Sequence, residues 1–135
     1  MNDCLFCKIT RKEIPSNVIY ENDKIFAFLD INPTGKGHTL VVPKKHCVNI
    51  HDMEETELNP LMQAVKKLAG EIKKALKADG INIAMNNEAA SGQVIMHAHF
   101  HIIPRYNNDG LKPWPNHKAT PEELISVQKT ITNSF

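Results

Sequence analysis

Met96-His97-Ala98-His99-Phe100-His101-Ile102-Ile103-Pro104-Arg105 sets a histidine at every second residue, with apolar residues between them. Side chains on a β-strand alternate faces with a period of two. The spacing therefore predicts a strand with His97, His99 and His101 on one face and Ala98, Phe100 and Ile102 turned into a core. At a rise of about 3.3 Å per residue, alternate residues stand roughly 6.6 Å apart, close enough for neighbouring rings to share one phosphate-sized group. A row of imidazoles repels itself when charged and is costly to keep with nothing bound. The row points to a metal or an anion.

Working outward, the 135 residues fit one domain with a real core, and 41% hydrophobic with 23% charged residues is ordinary for a soluble globular protein. A net charge of +1 argues against general nucleic-acid binding, and no segment approaches the length of a membrane span. Met1 to Cys7 carries no basic segment followed by an apolar run, so the expected location is cytoplasmic. Three cysteines, an odd number, suit a reducing compartment and thiols used for chemistry or metal rather than a disulfide framework.

Along the chain, Cys4-x-x-Cys7 runs into a short helical turn that Pro15 should end. Val18 to Glu21 and Lys24 to Asp30 read as a hairpin across Asn22-Asp23, and His38 to Val42 as a further strand closed by Pro43. Gly35-Lys36 is no phosphate loop, because position 30 is Asp where the first glycine belongs and Gly37 stands where Ser or Thr is needed. From Asp52 to Ala78, Leu58, Leu61, Met62, Val65, Leu68, Ala69, Ile72 and Leu76 recur at helical spacing. Asp52 with Glu55 predicts a capping box, Pro60 a break or restart of the helix and Gly80 its end. Lys66, Lys67, Lys73, Lys74 and Lys77 fall on the opposite, solvated side. Ile81 to Met85 is the next strand and Asn86 to Gln93 a polar loop. Thr120-Pro121-Glu122-Glu123 starts a last helix running to about Thr132. The sum is an α+β domain, an antiparallel sheet with a long helix packed on it.

Gly92-Gln93-Val94-Ile95-Met96-His97-Ala98-His99-Phe100-His101-Ile102-Ile103 resembles the signature of the histidine triad (HIT) superfamily, in which Gly-Gln precedes His-φ-His-φ-His-φ-φ with φ apolar. Cys4 to Ile9, Glu13-Ile14-Pro15, Phe26 to Ile31 and Gly37 to His46 resemble blocks of its Hint-like branch, in the same order. The resemblance covers about the first 105 residues. It implies a HIT-like fold of about five antiparallel strands, one long helix and a C-terminal helix, in one domain over residues 1–135 with a variable tail from about 106. It also implies a homodimer.

The implied chemistry is transfer of a nucleotidyl group to water, with release of a nucleoside monophosphate. A neutral imidazole is a competent nucleophile at phosphorus, and a covalent phosphoramidate splits one hard step into two. The resemblance gives that role to His99 and charge neutralisation to His101 with nearby backbone N–H groups, and it makes His38 an orienting group. It puts Gln93, Asn87 and the adjacent Gly92 at the phosphate, Asp30 on the ribose hydroxyls, and Phe6, Ile9, Phe28 and Ile31 around a purine base, as in AMP or GMP. Many Hint-like proteins have Ser after Gly-Gln. Val94 stands there and cannot donate a hydrogen bond from its side chain. The expected substrates are nucleoside phosphoramidates or related conjugates; the alternatives are dinucleoside polyphosphate hydrolysis and non-catalytic nucleotide binding.

Cys4-x-x-Cys7 by its spacing alone serves redox or metal chemistry equally. Zinc-containing bacterial HIT proteins pair such thiols with a histidine after Pro-Lys-x-His and with the first triad histidine. That resemblance implies a structural zinc on Cys4, Cys7, His46 and His97, with no open position. Cys47 is left as a small buried residue, and His51 and His117 have no assigned partner.

Overall fold

The computed structural model describes residues 3–135. In chain order they form α1 (Leu5–Thr10), β1 (Val18–Glu21), β2 (Ile25–Leu29), β3 (Thr39–Pro43), α2 (Glu55–Ala75), β4 (Gly80–Ala84), β5 (Phe100–Arg105) and α3 (Pro121–Thr132), with single 3-10 turns at Ile50–Asp52 and Ala89–Ser91. The five strands make one antiparallel sheet in the order β1-β2-β3-β5-β4. This is the expected α+β architecture.

Strand alternation divides the core in two. Ile25 and Ala27 of β2, Val41 of β3 and Ile102 of β5 face α2, where Leu61, Val65, Leu68 and Ile72 meet them. Phe26, Phe28, Leu40 and Val42 face the other way, against Phe6 and Ile9 of α1. The long helix thus covers one face of the sheet, whereas the six-residue α1 covers only part of the other and leaves room there for a cleft.

Several local expectations are corrected. The strand does not span the whole histidine run: β5 begins at Phe100, so His97 and His99 lie in an irregular segment ahead of it. Pairing with β3 stops at Val41–Phe100, and beyond it the segment is held by single bonds such as Ala98 N–H to the Cys47 carbonyl at 2.7 Å. The long helix starts at Glu55, with the Glu54 N–H donating to Glu57; Asp52 instead accepts from the Val48 and Asn49 N–H groups within the preceding turn. Pro60 does not break α2. The carbonyl that it leaves without an N–H belongs to Thr56, which is exposed to water.

Neither Pro15 nor Gly80 ends a helix. α1 and α2 both close on a lysine in the left-handed region, Lys12 at φ 63° and Lys77 at φ 52°. In each, the next two N–H groups turn back to the last-turn carbonyls, Lys12 to Ile9 and Glu13 to Lys8, Lys77 to Lys74 and Ala78 to Lys73. Those paired bonds and a cation at the helix C-terminus offset a backbone strain of about 1–2 kcal/mol. Gly80 opens β4 instead. Gly37 does carry a conformational demand: at φ +85° a Cβ there would lie 2.2 Å from Leu76 Cδ1, so the β2–β3 connection rests directly on the end of α2 and fixes where His38 begins.

After Arg105 the chain is anchored by the Arg105–Asp109 pair and by Arg105 Nη2 on the Leu111 carbonyl. Beyond it α3 buries no residue, and Trp114 is 81% exposed. No helix among the described residues is long and apolar enough to cross a membrane.

Candidate active site and metal centre

The histidines form a connected row although only His101 is on the strand. Ring centroids lie 4.9 Å apart for His99–His101, 5.1 Å for His38–His101 and 5.0 Å for His46–His97. Phe6 bridges the middle, its ring edge-on to both His97 and His99 at 5.9 and 5.1 Å.

Backbone partners decide which nitrogen carries each proton. A carbonyl only accepts, so the 2.7 Å bond from His99 Nδ1 to the His97 carbonyl puts the proton on Nδ1 and leaves Nε2 with its lone pair. An N–H only donates, so the 3.0 Å bond from the Thr34 N–H makes His38 Nδ1 the acceptor and puts the proton on Nε2. His38 Nε2–H then donates to His101 Nδ1 at 2.8 Å, which leaves Nε2–H of His101 as a free donor. No buried side-chain nitrogen or oxygen lacks a partner among the described residues, so the unpartnered Nε2 atoms of His99 and His101 reach solvent, in the cleft that both line. One nitrogen offers a lone pair and the other a proton.

Burial enforces these neutral forms. It pushes His99 and His38 below the ordinary imidazole value and His101 down to about 4, neighbouring His99 and His38 adding to the effect on His101.

The cleft has a volume of about 450 Å3, within the usual range for small-molecule sites. Phe6, Ile9, Phe28, Ile31 and Asp30 line it, and Asp30 Oδ1 accepts the Asn32 N–H at 2.8 Å while Oδ2 lies 3.7 Å from His38 Nε2. Ile31 is 87% exposed, a rim residue, whereas Phe6, Ile9 and Phe28 are buried and also serve the core. Gly92 and Val94 line the cleft too, and the N–H groups of Val94 and Ile95 have no acceptor among the described residues. A larger groove of about 670 Å3, between α2 and β1–β2, holds no histidine or cysteine. The histidines make the smaller cleft the candidate site.

Two of the expected phosphate contacts sit elsewhere. Asn87 is outside the cleft lining, its Oδ1 taken by the Ile50 N–H at 2.8 Å; its neighbour Asn86 lines the cleft instead. Gln93 is buried and its amide is occupied by three backbone groups. The Thr34 N–H and the Pro43 carbonyl, which set tautomers here, had no signal in the sequence, because backbone groups are common to every residue.

Beside the cleft, Cys4, Cys7, His46 and His97 bring four ligand atoms within 4.8 Å of one another. His97 Nδ1 is 3.4 Å from Cys4 Sγ and 3.5 Å from Cys7 Sγ, and His46 Nδ1 is 3.3 Å from Cys7 Sγ. A tetrahedral ion with bonds of about 2.0–2.3 Å has ligand atoms roughly 3.3–3.8 Å apart, so the group could hold a metal. His97 is prepared for it: Nε2–H donates to the Pro43 carbonyl at 2.8 Å, leaving the Nδ1 lone pair towards the thiols, and burial holds its pKa at about 4. Asp30, His38 and His101 form a second group of suitable spacing. Its proton pattern opposes a cation, because ligation through His38 Nε2 would move the proton to Nδ1, against the Thr34 N–H. Cys47 is buried, its thiol pushed up by that burial, and it stands outside the cluster. His51 and His117 are exposed and belong to neither group.

Against known families, the HIT domain pattern matches residues 11–108, most of the chain. The chain belongs to the HIT domain family. An uncharacterized HIT-like protein of Methanocaldococcus jannaschii is 53% identical over 107 residues, 79% of this chain and 82% of the relative. The adenosine 5'-monophosphoramidase hnt1 of Schizosaccharomyces pombe is 37% identical over 134 residues, 98% of each chain. A crystal structure from Streptococcus mutans superposes with a TM-score of 0.92 at 42% identity, over 99% of this chain and 86% of that one. The triad lies inside the matched region, whereas Cys4 and Cys7 precede it.

Proposed function

We propose that this HIT protein is a hydrolase of purine nucleoside phosphoramidates or related nucleotidyl conjugates, working through a nucleotidyl–histidine intermediate on His99. The observation that carries the reading is the pair of opposite proton states: a bare Nε2 on His99 beside a free Nε2–H on His101. The name of the fission-yeast relative supports the substrate class.

In the first step His99 Nε2 attacks phosphorus and the P–N bond to the leaving amine breaks; the amine takes a proton as it departs. Water then attacks the phosphoramidate, the P–Nε2 bond breaks, and a nucleoside monophosphate leaves. The second step returns His99 to its neutral form with its proton on Nδ1, and the attacking water gives up to solvent the proton that solvent lent to the amine in the first. His101 Nε2–H and the open N–H groups of Val94 and Ile95 offer donors to the phosphoryl oxygens. Val94 removes a side-chain donor but keeps its N–H. Asp30 accepts from ribose hydroxyls, and the Phe6–Phe28 slot takes the base. Mass spectrometry after rapid mixing with adenosine phosphoramidate and a non-acid quench should find a nucleotidyl adduct on the peptide containing His99; an adduct on another residue overturns the assignment.

Cys4, Cys7, His46 and His97 suit a structural zinc, which would supply cross-linking and no chemistry, tying α1 and its Phe6 to the residue two before the nucleophile. Elemental analysis should give about one zinc per chain, and Cys7→Ser should lose both metal and melting temperature. An unchanged melting temperature after chelation with no zinc found would sink that assignment. Reduced thiols suit the cytoplasm, where we place the protein. We also propose a homodimer, supported by the unpaired outer edge of β4 with Ile83 46% exposed on it. Light scattering at micromolar concentration tests it, and a monomer excludes it.

A further inference from the structure

β3 and β5 part beyond Val41–Phe100, and there the segment 46–50 and the segment 87–98 run side by side without a ladder. Three bonds join them: Ala98 N–H to the Cys47 carbonyl at 2.7 Å, Ile50 N–H to Asn87 Oδ1 at 2.8 Å, and Gln93 Nε2 to the Val48 carbonyl at 2.6 Å. The Gln93 bond belongs to a larger set. Nε2 also donates to the Ile95 carbonyl at 3.1 Å, and Oε1 accepts the Glu88 N–H at 2.7 Å. One buried amide therefore fixes three stretches of backbone.

What it fixes is strained. Glu88 sits at φ 72°, ψ 158°, a region almost reserved for glycine, which other residues occupy only where their surroundings over-determine it. The Gln93 N–H returns to the Glu88 carbonyl at 3.2 Å, so residues 88 and 93 clamp each other and close the loop. Immediately after the clamp come Val94 and Ile95, which line the cleft and whose N–H groups have no acceptor among the described residues. On its far side, Val48 is two residues beyond His46 of the metal centre.

We infer that Gln93 is a positioning residue: it touches no substrate, and it holds the strained loop so that the Val94 and Ile95 N–H groups meet the phosphoryl group beside His99. This rests on the proposed nucleotidyl transfer and deepens it. Loss of the clamp should loosen the loop and move the donors, while Asp30 and the base slot stay in place. Turnover falls more than binding.

The test is a double-mutant cycle read by two measurements. Gln93→Met keeps the length and removes all three bonds. It should speed hydrogen exchange of the Glu88 amide about tenfold or more and lower kcat on adenosine phosphoramidate by about 10²-fold, with KM within roughly threefold. Glu88→Gly removes the strain that the clamp holds, so Gln93→Met with Glu88→Gly should recover at least about fivefold in kcat over Gln93→Met alone. A direct phosphate contact predicts otherwise: unchanged Glu88 exchange, or no recovery with glycine at 88, overturns the inference. If Gln93→Met fails to fold, Gln93→Glu decides. It keeps the acceptor for the Glu88 N–H but loses both donors, so Glu88 should stay protected while kcat falls; a Glu88 amide that exchanges freely in Gln93→Glu overturns the clamp. If the wild-type protein turns over no phosphoramidate, the proposed function fails by itself, and the exchange arm still decides whether Gln93 holds the loop.

Discussion

The two faces of the sheet are made from alternate residues of the same strands, yet they do different work. Towards α2, Ile25, Ala27, Val41 and Ile102 are almost fully buried under a 21-residue helix, and the contacts are apolar. Towards α1, the cover is one short helix that carries Phe6 and the Cys7 thiol, with Cys4 at its N-cap, and the gap beside it is filled by histidines whose protons are assigned by backbone groups. Close packing gives stability without direction. A few directional bonds give a proton pattern, and with it chemistry, at the expense of a complete core.

Substitutions on the two faces should therefore separate turnover from folding. His99→Asn should remove the nucleophile and cost on the order of 10⁴ in turnover with little change in melting temperature, whereas His101→Asn should cost nearer ~10²–10³, as one charge-stabilising donor does. Full turnover by His99→Asn would erase the distinction between the faces. On the other side, Leu61, 0% exposed in the helix-covered core, predicts the reverse: Leu61→Ala should lose about 2–5 kcal/mol by denaturant titration while kcat per folded molecule stays the same. A large loss of kcat in folded Leu61→Ala would mean that the core shapes the site directly.

The smallest effect is with pH, and its sign follows from burial. His101 titrates near 6.5 when unfolded and at about 4 when folded, so the unfolded chain binds more protons between those values. The stability that depends on neutral His101 is complete above pH 6.5 and is lost as pH falls towards 4. Melting temperature should decline over that window, while kcat, which needs only the neutral rings of the folded protein, should hold below pH 6.5, because burial lowers His99 as well as His101. A kcat midpoint near 6.5 would show rings titrating as on an exposed strand.

The alternation at 97, 99 and 101, the helical spacing from Leu58 to Leu76 and the turn residues between strands are local signals. They were enough for an α+β sheet with one long helix, and the extended resemblance from Cys4 to Arg105 pointed to Cys4, Cys7, His46 and His97, which the fold brings together, and to several residues that line the cleft, though not to Asn86. The sequence could not tell that the row of histidines continues past the end of the strand, because single bonds such as Ala98 to Cys47 carry it where no ladder exists. Nor could it show that α1 and α2 close on a left-handed lysine, since the paired N–H bonds back to the last turn that permit it exist only once the helix has formed. Gln93 was legible as a motif residue and not as a clamp, for its partners are the backbone of Val48, Glu88 and Ile95. Residue types determine which chemistry is available. Which nitrogen holds the proton, and which amide faces the cleft, depends on backbone groups brought together from distant parts of the chain, and only the tertiary structure decides that.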